Sequence, residues 1–235
     1  MPQIIDLEKA KLNAANAALE HVKDGMVLGI GTGSTVAHFI KLLGKRKRSE
    51  KLKLEVVPTS HQSALLLIEQ GFKIASLDEY PELDLAIDGA DEVDASLNLV
   101  KGGGAALARE KIVMCSAKEV VIIVDHTKLV TALGEKNPIP VEVLPFAWRV
   151  VSKRLEKLGG VPKLRDAGKA KDGPVVTDNG NFILDVSFPP IQQPSKLEQE
   201  IKAIPGVVEV GIFTNLTRLA YVGYESGVKK LTKTT

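Results

Sequence analysis

The sequence predicts an α/β protein: a Rossmann-like, mostly parallel sheet with helices on both faces, plus a smaller ferredoxin-like α+β domain. Two observations predict it. Short apolar runs alternate with helix-period stretches over residues 1–137, as parallel strands joined by crossover helices do. Beyond Pro138 the order becomes strand, helix, two strands, helix, strand, which is the βαββαβ arrangement. The expected division is 1–137 with 211–235 for the large domain, and 138–210 for the small one.

Asp6 to Val22 reads as a helix, capped by Asp6, with Leu12, Ala15, Leu19 and Val22 on one face. Met26 to Ile30 is a short buried strand that enters Gly31-Thr32-Gly33-Ser34-Thr35, and a second helix follows through Val36, Phe39, Ile40 and Leu43 to Gly44. Leu54 to Val57 is the next strand. Thr59 with Gln62 has the spacing of a capping box for a helix that stops at Gly71. Ile74-Ala75, Leu83 to Ile87, Leu97 to Val100 and Val120 to Val124 supply further strands of the same sheet. In the small domain, Val141 to Val143 is a strand, Phe146 to Leu158 a helix, and Pro162 to Arg165 a strand. Val175 to Thr177 and Phe182 to Val186 flank the turn Asp178-Asn179-Gly180-Asn181 as a hairpin. Lys196 to Ile204 is helical, Val207 to Val210 extended, and Leu219 to Val222 returns to the large sheet.

At 235 residues, with 44% hydrophobic and 26% charged residues, the chain can bury a sizeable core and has the composition of neither a disordered nor a membrane protein. No apolar run approaches the roughly 20 residues of a membrane helix. Met1 to Lys11 mixes Asp6, Glu8 and Lys9 into its apolar residues, against a signal peptide. One cysteine, Cys115, cannot form an internal disulfide, which suits the reducing cytoplasm. A net charge of +2 argues against non-specific nucleic-acid binding. The one basic run, Lys45-Arg46-Lys47-Arg48 with Lys51 and Lys53, reads as a solvated helix end and loop, since no aromatic residues are interleaved for stacking.

The polar motifs sit where strands end, the place where such sheets bind ligands. In Gly29-Ile30-Gly31-Thr32-Gly33-Ser34-Thr35, the glycines let backbone approach an anion and the hydroxyls donate to it at a helix N-terminus. A capped tight turn would need fewer glycines. Neither Gly29 nor Gly31 starts a G-x-G-x-x-G, no acid ends the second strand, and no G-K-[ST] follows. A small phosphorylated metabolite fits better than a nucleotide.

Asp88 and Asp91 bracket the Gly89-Ala90 turn, where paired acids could hold a metal or sugar hydroxyls, exchange protons, or be plain turn residues. Metal is the weakest of these, because the spacing is not that of an EF-hand loop and no histidine lies nearby in sequence. His21, His38, His61 and His126 are scattered and read as structural. Lys101 ends a strand ahead of Gly102-Gly103-Gly104, placing an ammonium beside backbone N–H groups where an oxyanion could develop. On a helix beginning near Gly104, Glu110 shares a face with Ala106 and Leu107. It is either a partly buried base with a raised pKa or an exposed residue pairing with Arg109 and Lys111, and periodicity leaves both open. Proton abstraction next to the carbonyl of a sugar phosphate would use all of these groups.

Gly31-Thr32-Gly33-Ser34-Thr35, Asp88-Gly89-Ala90-Asp91-Glu92, Lys101-Gly102-Gly103-Gly104-Ala105-Ala106 and Arg109-Glu110-Lys111, in this order, resemble ribose-5-phosphate isomerase of the type A family. The likeness extends to Pro140 to Val143, Val176 to Asn181 and Ile204 to Val207. It implies a cofactor-free, metal-free interconversion of ribose 5-phosphate and ribulose 5-phosphate. Glu110 would be the general base, Lys101 would stabilise the oxyanion, and Asp88 and Asp91 would hold sugar hydroxyls, Asp88 with a share in ring opening. Thr32, Gly33, Ser34 and Thr35 would contact substrate with Gly89, Ala90, Gly102, Gly103, Gly104, Lys128 and Lys11. Homodimers or homotetramers are implied too. Lys169 to Gly173 reads as a tolerated loop insertion. Two alternatives remain: a related sugar-phosphate isomerase or deaminase, the deaminase having no histidine obviously placed for it, and a non-catalytic sugar-phosphate sensor, which would not need both Glu110 and Lys101.

Overall fold

The computed structural model describes residues 6–233; Met1 to Ile5, part of the stretch read for a signal peptide, lie outside the described residues. Helices are α1 Leu7–Ala18, α2 Ser34–Glu50, α3 His61–Glu69, α4 Leu107–Cys115, α5 Trp148–Lys157 and α6 Pro194–Lys202. Strands are β1 Val27–Ile30, β2 Glu55–Pro58, β3 Leu83–Asp88, β4 Glu92–Val93, β5 Leu99–Val100, β6 Ala117–Asp125, β7 Ile139–Val143, β8 Val161–Leu164, β9 Phe182–Ser187, β10 Val207–Val210, β11 Ile212–Phe213, β12 Leu219–Tyr224 and β13 Gly227–Thr232. Among these, no helix is long and apolar enough to cross a membrane.

Contacts divide the chain into two compact units. The first holds the described residues of 1–89, 112–128 and 216–235, and the second holds 90–111 and 129–215. The sequence-based division at 137/138 and 210/211 falls elsewhere, because residues 90–111, 129–137 and 211–215 group with the second unit.

In the first unit a six-stranded sheet runs β13-β12-β6-β3-β1-β2, parallel except for the antiparallel edge strand β13. Strand alternation decides its faces. Leu28, Ile30, Leu85 and Ile87 point into a core shared with Ala14, Ala18, Phe39, Ile40 and Leu43 of α1 and α2. Gly29 points the other way, where a Cβ would lie 2.4 Å from Val113 Cγ1. Asp6 caps α1 by accepting from Lys9 N–H at 3.0 Å, as the sequence predicts. Gly44 does not end α2. The helix passes through it to Glu50, and a Cβ there would lie 2.8 Å from Gln70 Cβ, so glycine allows close packing against the end of α3. The basic run is consequently helical and only partly solvated. Arg46 donates to the carbonyls of Leu19 (2.5 Å) and Val22 (3.1 Å), Lys47 to that of Gly71 (2.7 Å) and Arg48 to that of Gln70 (3.2 Å). These carbonyls end neighbouring helices, where cations offset the helix dipole.

The second unit holds two antiparallel sheets. Strands β7, β8, β9 and β10, with α5 and α6, follow βαββαβ order in the spatial sequence β10-β7-β9-β8, which is the ferredoxin-like pattern. The expected hairpin arm at 175–177 is reduced to a single bridge, Val176 to Phe182, because β9 takes β7 and β8 as its partners. The other sheet is β11-β5-β4. Leu99–Val100 therefore belongs to a small antiparallel sheet and not, as expected, to the large parallel one; Leu97 before it has φ +58° and breaks the extended run.

One glycine outside the sequence motifs holds α1 onto β12. A Cβ on Gly223 would lie 1.9 Å from the Ala10 carbonyl oxygen, so Gly223→Ala should lower the unfolding free energy by at least about 1–3 kcal/mol in a urea melt.

Candidate active site

In the first unit, β1 and β3 are neighbours, while the chain leaves β1 for β2 on one side and returns to β3 on the other. That reversal is the topological switch point, where open α/β sheets bind ligands at their carboxyl ends. Gly31 and Asp88 meet there. Gly31 N–H donates to the Ile87 carbonyl at 2.9 Å, and a Cβ on Gly31 would lie 1.9 Å from Asp88 Oδ1. Buried Asp88 accepts on Oδ1 from the N–H groups of Thr32 (3.2 Å) and Gly89 (2.7 Å). Its carboxylate is thus fixed against the loop and the turn that the sequence singled out.

Gly33, with φ +116°, is the N-cap of α2 and makes no side-chain cap bond to this helix. The first-turn N–H groups at Ser34 and Thr35 have no intrahelical partner, and the helix dipole favours an anion beside them. Thr32 Oγ1 lies 2.8 Å from Thr59 Oγ1 and donates to Ser60 Oγ at 2.7 Å, while Gly33 N–H donates to Gln62 Oε1 at 3.2 Å. The expected Thr59–Gln62 capping box is corrected here. Ser60 and Ser63 form the box, one residue later, because Thr59 and Gln62 are engaged by the glycine loop. Lys128 ends a single 3-10 turn after β6, held by Asp125 accepting from Thr127 N–H at 2.9 Å. Lys11 pairs with the exposed Glu8 at 2.7 Å, and Glu8 also lies 2.9 Å from His38 Nε2.

The second unit holds the other candidates. Lys101 follows β5, and its N–H donates to the Gly211 carbonyl at 2.8 Å. Its ammonium lies 3.2 Å from Glu110 Oε1, with the two side chains only 3% and 5% exposed. Glu110 is therefore buried, and the exposed alternative fails. The helix begins at Leu107 and not near Gly104, so Glu110 stands in its first turn, where the dipole favours a carboxylate. Between these two residues, Gly102 and Gly103 each have a geometric task. Gly102 has φ +109°, and a Cβ there would lie 2.9 Å from Pro140 Cβ; a Cβ on Gly103 would lie 2.7 Å from Asp91 Oδ1. Gly103 N–H instead donates to Asp91 Oδ2 at 2.8 Å. Ala105, at φ +57°, is a non-glycine residue in the left-handed region, local strain of the kind that clusters at functional sites. Exposed Gly104 lies between them.

Residues on either side of Glu110 anchor the helix start. Arg109 donates to Asn179 Oδ1 (2.7 Å) and to the Asp178 carbonyl (2.8 Å). Asn179, Thr177 and Asn181 in turn donate to Oε1 of the fully buried Glu142 at 3.1, 2.9 and 2.8 Å. Lys111 reaches Glu198 (2.7 Å), Glu209 (2.9 Å) and the carbonyls of Val210 and Ile212, above the Phe213 ring. Burial pushes the Glu209 carboxyl up, but Lys111, Lys202 and the Val210 N–H outweigh it and hold its pKa below the usual value. Next to Asp91, buried Glu92 accepts from the backbone N–H groups of Gly134 (2.7 Å), Lys136 (2.7 Å) and Asn137 (2.6 Å). In the sequence Thr59 and Gln62 read as capping residues and no role attaches to Glu92 or Glu142, because an isolated polar residue carries no periodic signal of its partners. Among the described residues, no group of three or more His, Cys, Asp or Glu is arranged to hold a metal ion.

The Lys101–Glu110 pair makes a thermodynamic prediction. Lys101→Met removes the counter-charge that Glu110 faces in a buried setting and should destabilise by about 3–5 kcal/mol. The double variant with Glu110→Gln should recover much of that loss in denaturant melts, a coupling that independent surface residues would not show.

Comparison with known proteins extends this geometry. Residues 55–227 match the family model described as Ribose 5-phosphate isomerase A (phosphoriboisomerase A). Ribose-5-phosphate isomerase A of Thermococcus kodakarensis is 50% identical over 228 residues, 97% of this chain and 99% of that one. The protein of the same name from Methanosarcina acetivorans is 52% identical over 221 residues, 94% of this chain and 93% of its own. Among solved structures, ribose 5-phosphate isomerase A of Methanocaldococcus jannaschii superposes with a TM-score of 0.92 at 51% identity, covering 96% of this chain and 99% of that one. A D-ribose-5-phosphate isomerase in complex with phospho-erythronic acid superposes with a TM-score of 0.94 at 48% identity, covering 97% and 100%. A match to the family model over most of the chain, and near-half identity over almost its full length, lead to one conclusion: the chain belongs to the ribose 5-phosphate isomerase A family.

Proposed function

We propose that this chain interconverts ribose 5-phosphate and ribulose 5-phosphate through an enediolate, with Glu110 as the base that moves the proton. The observation that carries the reading is the buried Lys101–Glu110 pair, 3.2 Å apart, in a member of this family. Glu110 takes the proton from C2 of the open-chain aldose. Charge then develops on the C1 oxygen, and the Lys101 ammonium stabilises it in a setting from which water is largely excluded. Glu110 returns the proton to C1, and the O2 hydroxyl proton passes to O1, which completes the ketose. No redox cofactor or metal has a step in this sequence.

The remaining residues serve binding in this proposal. The uncapped start of α2, with Thr32, Gly33, Ser34 and Thr35, takes the phosphate, and Lys128 and Lys11 add positive charge. Asp88 and Asp91 hold sugar hydroxyls alongside the Gly89-Ala90 turn, and Asp88 takes part in ring opening. The relative solved with phospho-erythronic acid supports this chemistry, because a phosphorylated sugar acid ends in a planar carboxylate shaped like an enediolate. A sensor would gain nothing from a buried base and ammonium. The single cysteine fits a reducing cytoplasm as the place of action.

The test is an isomerase assay on the purified protein in chelator. Wild-type protein should convert ribose 5-phosphate, and Glu110→Gln should lower kcat by about 10²- to 10⁴-fold, with KM changed far less. A Glu110→Gln enzyme of wild-type kcat ends the base assignment.

Self-association into dimers or tetramers is also part of the proposal. Leu144, Phe146 and Val150, at the start of α5, leave large apolar surface exposed, Phe146 fully. Phe146→Asp should shift the light-scattering mass of the folded protein toward a smaller species, and an unchanged mass rules this face out as the interface.

A further inference from the structure

The glycine run is held from the side of the ferredoxin-like sheet by an arginine that no motif marks. Arg165 directly follows β8 and forms a two-pronged ion pair with Asp185 of β9. Its Nε lies 2.8 Å from Asp185 Oδ2, and one terminal nitrogen lies 2.5 Å from Oδ1. The other terminal nitrogen, Nη1, donates to the carbonyls of Gly102 (2.8 Å) and Gly103 (3.1 Å). A planar guanidinium can span a carboxylate and a third acceptor at once, whereas an ammonium cannot present this fixed fork.

These contacts constrain the peptide planes immediately after Lys101. With the Gly102 and Gly103 carbonyls turned toward Arg165, and the Gly103 N–H toward Asp91, the backbone is fixed from two directions. Glycines left to themselves would populate many conformations, because they have no Cβ to restrict them. An ordinary stabilising ion pair would be complete with Asp185 alone. Here the guanidinium also reaches main-chain oxygens in the segment that joins the proposed oxyanion stabiliser to the helix of the proposed base.

We infer that Arg165 is a positioning residue for isomerisation: with Asp185 aiming it, it locks the Gly102-Gly103 backbone and so sets where Lys101 and Asp91 meet the substrate. The inference rests on the isomerase reading above. Arg165 itself touches no reacting atom. Its loss should therefore appear in the chemical step more than in folding, because misplacement of catalytic groups by about 1 Å lowers rates by up to about 10²-fold.

The experiment compares kcat, KM and thermal midpoint for wild type, Arg165→Lys and Asp185→Asn. Arg165→Lys keeps the charge beside Asp185 but loses the fork. It should lower kcat about 10- to 100-fold, with KM within about 3-fold and a folded thermal transition. A further variant, Arg165→Ala, assayed well below its own thermal midpoint so that recovered folding cannot account for a gain, should regain part of its lost kcat on addition of millimolar methylguanidinium. A wild-type kcat in folded Arg165→Lys overturns the inference. Should the lysine variant not fold, Asp185→Asn decides, since it keeps the guanidinium and removes what aims it: a several-fold lower kcat supports the inference and an unchanged kcat overturns it. Absence of isomerase activity in the wild type would count against the parent reading instead.

Discussion

The second unit depends on keeping two opposite charges out of water at one fixed distance. The Lys101 ammonium and the Glu110 carboxylate are both buried and lie 3.2 Å apart. Desolvating such ions is expensive, by several kcal/mol each even after relaxation, and their attraction offsets this only where geometry is tight. Much of the surrounding structure can be understood as supplying that geometry. Glu110 stands in the first turn of α4, and its two sequence neighbours are tied in different directions: Arg109 to the Asp178-Asn179 turn, Lys111 to Glu198 and Glu209. The buried Glu142 gathers Thr177, Asn179 and Asn181 behind that turn. The ferredoxin-like sheet, its loops and α6 therefore carry the residues that immobilise the start of α4 and the glycine run.

The first unit meets a different constraint, the close approach of backbone to an acid. Asp88 accepts from Thr32 and Gly89 N–H groups, and only a residue without Cβ can stand at Gly31 beside it. The same arrangement leaves α2 without a side-chain cap, so that its first-turn amides stay available to an anion. Stability is given up at that helix end where binding is proposed.

Much of this was legible in the sequence, and the rest was not for identifiable reasons. The parallel sheet and the βαββαβ unit follow from apolar periodicity, and the glycine loop, the acidic turn and Glu110 stand out by composition. Periodicity could not decide whether Glu110 was buried, because that depends on the Lys101 ammonium across the glycine run. Gly44 reads as a helix stop, yet the helix continues through it because of a neighbour distant in sequence, Gln70. The apolar run at Leu99–Val100 looks like another parallel strand, and only its pairing with β4 and β11 assigns it to a separate sheet. Arg165 and Asp185 are individually ordinary, and their meaning lies in the carbonyls that Arg165 reaches.

The claim that Glu110 carries the proton is tested most directly by following label from solvent. Ribose 5-phosphate incubated with the protein in deuterated water, and followed by proton NMR, should gain deuterium at C1 of the ribulose 5-phosphate formed, as a base that exchanges with solvent between abstraction and return requires. Glu110→Gln should lose that labelling along with the C2 exchange of the aldose. Labelling of C1 by the glutamine variant at the wild-type rate would contradict the account.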